Sequence, residues 1–266
     1  MADSQTPPAP PPDPSDPEPL GKQMTFSEHL EELRGHVKRS VIALVLLVVV
    51  AFAFQDALAH LVMLPFLDAI TWIKDHGRPD IDPRLTTIDP TEAVFFHLKI
   101  AFYAALVLGL PYFLYEMWRF IAAGLYAKER KAVMRVLPVS FALLAIGISF
   151  CFFVVLPIGL RFMLGYGNPE YIKPEIRVES YLSFVVMLSL LMGVVFQLPL
   201  VQVVLAKFSI LPAKTQSEYR RAFVMGSLVA AAVITPTGDA VTLLLVSVPM
   251  FVLYEIGILA ARRVRP

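Results

Sequence analysis

The chain has 266 residues, 57% of them hydrophobic and only 17% charged, with a mean hydropathy of +0.66. That composition excludes a water-soluble domain and marks a polytopic, all-α membrane protein. The net charge of +1 decides nothing, because distribution matters more than sum in such proteins, and the single cysteine, Cys151, excludes an intrachain disulfide.

Residues 1–20 hold eight prolines and four acids (Asp3, Asp13, Asp16, Glu18) with no basic residue, which is the reverse of a signal peptide. The expectation is a disordered, proline-rich tail over residues 1–23, ahead of a transmembrane domain over 24–261 and a basic tail over 262–266. A charged amphipathic helix follows over Thr25 to Arg39. At 100° per residue, Phe26, Leu30, Leu33 and Val37 share a face that would press on hydrophobic surroundings. Glu28, Glu31 and Glu32 lie opposite, as a docking place for something cationic, and Thr25 with Glu28 forms a capping box.

Charge-free runs at 40–55, 100–115, 136–160, 180–206, 222–238 and 240–254 predict six transmembrane helices, spanning about 38–58, 92–115, 133–160, 180–206, 221–237 and 240–260. An even number puts both termini on one side. Lys and Arg number sixteen in the segments on that side and six on the other, leaving out Lys99 within span 2, so both termini are expected in the cytoplasm. The outer segment 57–92 reads as a long acidic loop, closed by Asp89 and Glu92 as a capping box with Pro90 at the first helical position. A second outer loop covers 161–179, and T-P-T-G-D at 235–239 is a turn. Spans 5 and 6 are short, so either polar residues snorkel or the bilayer thins beside them, and the arrangement is expected to be concave. Pro111, Pro138, Pro199 and Pro249 are places for bends.

No H-E-x-x-H, G-x-S-x-G or phosphate-binding glycine loop is present, so an enzyme is not expected, nor any metal or cofactor. Polar residues inside the spans are more informative, since each needs a partner or a watery cavity. Gln197 in F-Q-L-P would either bond a neighbouring helix or line a polar pocket beside the Pro199 bend. His97 and Lys99 would snorkel outward, and Glu255 would neutralise Arg262 or Arg263. Between spans 2 and 3, Trp118, Phe120 and Tyr126 are placed as interfacial aromatics, with Glu129 among Lys128, Arg130 and Lys131. Glu129 and the acids of the first helix fall on one membrane face, where two separated carboxylates could each take one guanidinium in a two-point contact.

Seven motifs in order resemble the TatC family, the multispanning receptor of the twin-arginine protein translocase. They are F-S-E-H-L-E-E-L-R at 26–34, Pro65, Y-E-M-W-R-F-I-A-A-G-L-Y-A-K-E-R at 115–130, S-Y-L-S-F at 180–184, F-Q-L-P at 196–199, I-T-P-T-G-D at 234–239 and P-M-F-V-L-Y-E-I-G at 249–257. The resemblance implies a receptor in the bacterial inner membrane that binds twin-arginine signal peptides of folded precursors at the cytoplasmic face. It implies TatA/TatB-type single-span partners, homo-oligomers within a larger complex, contact with lipid but not nucleic acid, and export driven by the proton-motive force. By the same resemblance Glu32, Arg34, His29, Leu30, Phe120 and Glu129 form the signal-peptide site, Gln197 faces an intramembrane polar pocket, and Thr235, Pro236 and Asp239 touch a partner. The chain departs from the family in carrying Gln197 where Glu is common, Ala123 where proline is common, and one extra residue in T-P-T-G-D. A small-solute carrier or a structural scaffold are the alternatives on six spans alone, although the internal symmetry common in carriers is absent.

Overall fold

The computed structural model describes residues 26–76, 81–123, 127–166, 175–234 and 239–263; the side chains of 26, 28, 90, 93, 94, 127–134 and 234 lie outside the description. The expected tail and the Thr25–Glu28 cap therefore lie outside the described residues. The rest is almost wholly helical: α1 (Phe26–Ala53), α2 (Gln55–Asp75), α3 (Pro90–Ala123), α4 (Ala127–Phe150), α5 (Leu156–Gly165), α6 (Val178–Val195), α7 (Leu198–Lys207), α8 (Ala213–Glu218), α9 (Arg220–Ile234) and α10 (Ala240–Arg263). A π-helical turn, Cys151–Val155, joins α4 to α5 within one continuous rod.

Six helical stretches are long and apolar enough to cross a bilayer: His29–Ala53, Gln55–Asp75, Phe95–Ala123, Arg135–Gly165, Val178–Lys207 and Ala240–Arg263. Five of them match spans read from the sequence. The sixth, α2, falls where an acidic loop was expected, because Asp56, Asp68, Lys74 and Asp75 interrupt the charge-free pattern while one face remains apolar. On that face Pro65, Phe66, Ala69, Ile70 and Ile73 are buried. Only Phe54 separates α2 from α1, whereas antiparallel helix hairpins need a loop of roughly two to five residues. The chain therefore turns aside at Phe54, and α2 packs on α5 and α3 instead of on α1. The expected fifth span is α9, whose 15 residues rise roughly 23 Å, less than the roughly 30 Å of hydrocarbon.

The main core gathers Phe66 and Ile70 of α2, Ile100 of α3, Leu156 and Leu160 of α5, and Tyr181, Leu188 and Met192 of α6. The Tyr181 hydroxyl donates to the Val62 carbonyl at 2.5 Å, tying α6 to α2. Between α2 and α3 the chain pairs with the segment before α6: Thr86 N–H donates to Ile176 O at 2.9 Å and Val178 N–H to Thr86 O at 3.0 Å. Ion pairs Arg161–Asp68 (2.6 Å), Lys99–Glu179 (3.1 Å) and Arg177–Glu92 surround this joint. Lys99 thus pairs across helices instead of merely snorkelling, and His97 lies 3.6 Å from Asp56. At the start of α3, Asp89 accepts the Thr91 N–H at 2.9 Å, which holds its carboxyl below the usual carboxylate range. Glu92 does not complete the expected box; its carboxylate is taken by Arg177.

The bend expected at Pro199 is a break: α6 ends at Val195, and Phe196 and Gln197 turn before α7. Pro111, Pro138 and Pro249 stay inside α3, α4 and α10. On the far side of the break α7 meets α10 so closely that a Cβ on Gly257 would lie 1.4 Å from Gln202 Oε1 and 2.9 Å from the Pro199 Cα. The amide could swing away, but the Pro199 backbone could not. Gly257→Val is expected to cost about 1–3 kcal/mol by forcing the helices apart, seen as a lower thermal midpoint in detergent, while the equivalent change at exposed Gly226, with open space around it, leaves the midpoint nearly unchanged.

Candidate functional site

On an α-helix, His29, Glu32 and His36 fall within roughly 60° of one another, whereas Leu30 and Arg34 lie roughly 100° and 140° away from His29. The polar strip faces α3. His29 stacks on Phe120 with ring centroids 4.4 Å apart and 19° between planes, and His36 meets the same ring edge-on at 6.0 Å. One turn back along α3, Glu116 is buried at 3% exposure. Its Oε2 takes the His36 Nδ1, its Oε1 accepts the Tyr112 hydroxyl at 2.9 Å, and Arg39 Nε lies 3.4 Å from Oε1. The half-buried Glu32 has its Oε2 shielded from solvent and without a hydrogen-bond partner among the described residues, as has His29 Nδ1.

This inverts the expected orientation of the first helix. Leu30, Leu33 and Val37 are 49%, 37% and 51% exposed, and the polar strip packs inward. Two causes combine: α1 runs unbroken from the amphipathic stretch into the span, and hydrocarbon solvates an apolar face without penalty while the histidines need Glu116 and Phe120. Leu33, Val37 and Met117 line a groove of about 370 Å³ between α1 and α3, with Glu116 and Phe120 also in its walls.

Among the sequence candidates, the structure joins His29 to Phe120 and sets Glu32 on the same strip. Arg34 and Leu30 are exposed on other faces. Glu129 falls in the first turn of α4, but its side chain lies outside the described residues. Thr235 and Pro236 lie outside them as well; Asp239 accepts the Thr242 N–H at 2.7 Å and so caps α10. Gln197 is buried and uses both ends of its amide: Nε2 donates to Ser140 O at 3.1 Å, and Oε1 accepts the Ser140 hydroxyl at 2.7 Å. Trp118 Nε1 donates to that hydroxyl at 2.9 Å, so α3, α4 and the α6–α7 break share one polar chain. The interhelical bond is the geometry present. Glu255 pairs with Arg220, whose Nη2 donates to it at 2.8 Å, and not with Arg262 or Arg263. The tertiary fold brings the two partners together from α9 and α10.

Sequence reading passed over His36, Arg39, Tyr112 and Glu116. A signal was there: an acid four residues before Phe120 shares its helix face, and His36 lies two turns from His29. At the other end of α3, a cavity of about 610 Å³ is lined by Asp56, His60, Arg84, Phe96 and His97 among others, and it contains none of the candidate residues.

The family model described as "Sec-independent protein translocase protein (TatC)" matches residues 28–249. A Sec-independent protein translocase protein TatC of Carboxydothermus hydrogenoformans is 34% identical over 245 residues, covering 92% of this chain and 96% of its own. One from Aquifex aeolicus is 33% identical over 236 residues, covering 88% and 93%. A crystal structure described as the twin arginine translocase receptor TatC superposes with a TM-score of 0.75 at 33% identity, covering 88% of this chain and 98% of that one.

Proposed function

The chain belongs to the TatC family of Sec-independent protein translocase components, and from that premise we propose that it is the receptor that reads twin-arginine signal peptides. As a multi-pass membrane protein of this family it takes part in protein transport. The reading keeps α2 on the outer side and places the His29–Phe120 stack at the cytoplasmic face of the inner membrane, in keeping with the sixteen-to-six asymmetry of Lys and Arg counted that way. Signal peptides of folded precursors dock there, and TatA/TatB-type single-span partners assemble on the chain for export driven by the proton-motive force. No catalytic step is assigned to it.

The observation that carries the reading is Glu32: a carboxylate oxygen shielded from solvent, without a partner among the described residues, on the strip that bears the His29–Phe120 stack. A desolvated acceptor left open favours a donor that arrives with the ligand. Glu129 supplies the second carboxylate in this proposal. Two carboxylates accept two planar guanidinium forks, which lysine ammonium groups cannot form.

Photocrosslinkers at Leu33 and Met117 test it without disturbing either acid. Both line the groove beside Phe120. Precursors with Arg-Arg in the signal peptide are expected to crosslink from both positions, and Lys-Lys precursors at about a tenth of that yield or less. Equal crosslinking of the two would remove the arginine-reading role, and none from a folded, inserted receptor would move the site elsewhere.

A further inference from the structure

An acid as deeply buried as Glu116 in a spanning helix needs positive charge or strong donors beside it. It has three neighbours that supply them, and they are not equally committed. His36 bonds Oε2 through Nδ1, and Tyr112 donates to Oε1 at 2.9 Å. Arg39 reaches Oε1 only through Nε, at 3.4 Å, beyond the roughly 2.7–2.9 Å of a charge-assisted bond. Its Nη2 lies 3.0 Å from His36 Nδ1. That nitrogen cannot give a proton to Glu116 and accept one from Arg39 together. The guanidinium therefore offers charge without the two-point fork that makes arginine strong, and its side chain is 47% exposed.

The place Arg39 occupies is also significant. Glu116 sits one turn from Phe120 on the same face of α3, and both line the groove that opens beside the His29 stack. Arg39 is not in the groove wall; it stands half-exposed at Oε1, the oxygen that Tyr112 also bonds, and a second guanidinium that took that oxygen would have to take its place. Building on the receptor reading above, we infer that Glu116 is a further carboxylate of the arginine-reading site, held in the empty receptor by the chain's own Arg39, which an arginine of the signal peptide displaces.

The exchange swaps one guanidinium for another, so the carboxylate is never left buried and unpaired. A lysine in the peptide could not take over a planar contact, and Arg39 would keep its place. The internal competitor also lowers affinity, which suits a receptor that must release its precursor. Glu116 acts here as a specificity-determining residue, and Arg39 as the occupant that positions the threshold.

The test is binding of labelled Arg-Arg and Lys-Lys signal peptides to the full chain in nanodiscs, comparing wild type, Arg39→Gln, Arg39→Lys and Glu32→Gln, with affinities below given for the Arg-Arg peptide. Losing a half-exposed competitor should tighten binding about threefold to fivefold for Arg39→Gln. Arg39→Lys, which keeps a cation over Glu116 and so protects folding, should tighten it about twofold. Unchanged or weaker binding by folded Arg39→Gln, or by Arg39→Lys if the glutamine variant does not fold, overturns the inference. Glu32→Gln separates the two levels. If it weakens binding while the Arg39 variants are neutral, only self-occupancy fails; if wild type shows no Arg-Arg preference and Glu32→Gln has no effect, the receptor reading fails with it.

Discussion

Replacing Glu32 and Glu129 together by glutamine is expected to weaken twin-arginine peptide binding about a hundredfold. A charge-assisted hydrogen bond that is partly desolvated is worth roughly 1.5–3 kcal/mol, and an exposed ion pair roughly 0–1. Glu32 is half-buried with one oxygen shielded, so the lower end of the first range applies. Two such contacts sum to about 3 kcal/mol, or two decades in affinity. Each single variant should lose about tenfold, and the double variant should keep only the part of the Arg-Arg preference that Glu116 supplies. Fluorescence anisotropy with labelled peptides and the chain in nanodiscs measures both quantities. Glutamine keeps shape and hydrogen-bonding capacity, so a change in affinity reports charge and not packing. Retained affinity in the double variant would show that the arginines are read elsewhere.

The largest effect on stability is expected from Arg177→Ala, at the opposite end of α3. Glu92 is 7% exposed and its bonded partner is Arg177, whose side chain is 44% exposed. Removing one member of a buried pair costs roughly 3–5 kcal/mol because the other charge is stranded. Two features reduce that figure: the arginine is half in solvent, and Glu92 lies in the first turn of α3, where the helix dipole favours a negative charge. About 2–3 kcal/mol is the expected loss. Arg177→Ala combined with Glu92→Gln should recover most of it, since no buried charge remains. The chain carries its own reporter for this measurement: Cys151 is the single cysteine and is buried in the core, so a thiol-reactive dye becomes fluorescent only on unfolding. If the single and double variants melted together, the pair would be ornamental and the joint at Thr86 and Ile176 would hold the outer segments unaided.

Glu32, Phe120 and His29 could be named from the motifs at 26–34 and 115–130, and so could the caps at Asp89 and Pro90, because each is a local pattern of a few residues. The helical spans were legible because a bilayer demands long uncharged runs. Where charges interrupted an otherwise apolar face, as in α2, the same criterion misplaced a helix as a loop. Arg177–Glu92, Lys99–Glu179 and Arg220–Glu255 each join residues 35 or more positions apart, and no periodicity encodes such meetings.

By itself, the sequence determined the family and the helical membrane architecture, and it named His29 and Glu32 of the α1 strip but not His36. Only the tertiary structure decided which face of α1 turns inward, that Glu116 holds His36 and Arg39, and that Gln197 is bound to Ser140. The reason is physical: periodicity defines the faces of a helix but not what each face meets. In water an apolar stripe must go inside; in a bilayer lipid accepts it equally well, and the polar groups, which lipid cannot solvate, decide the orientation.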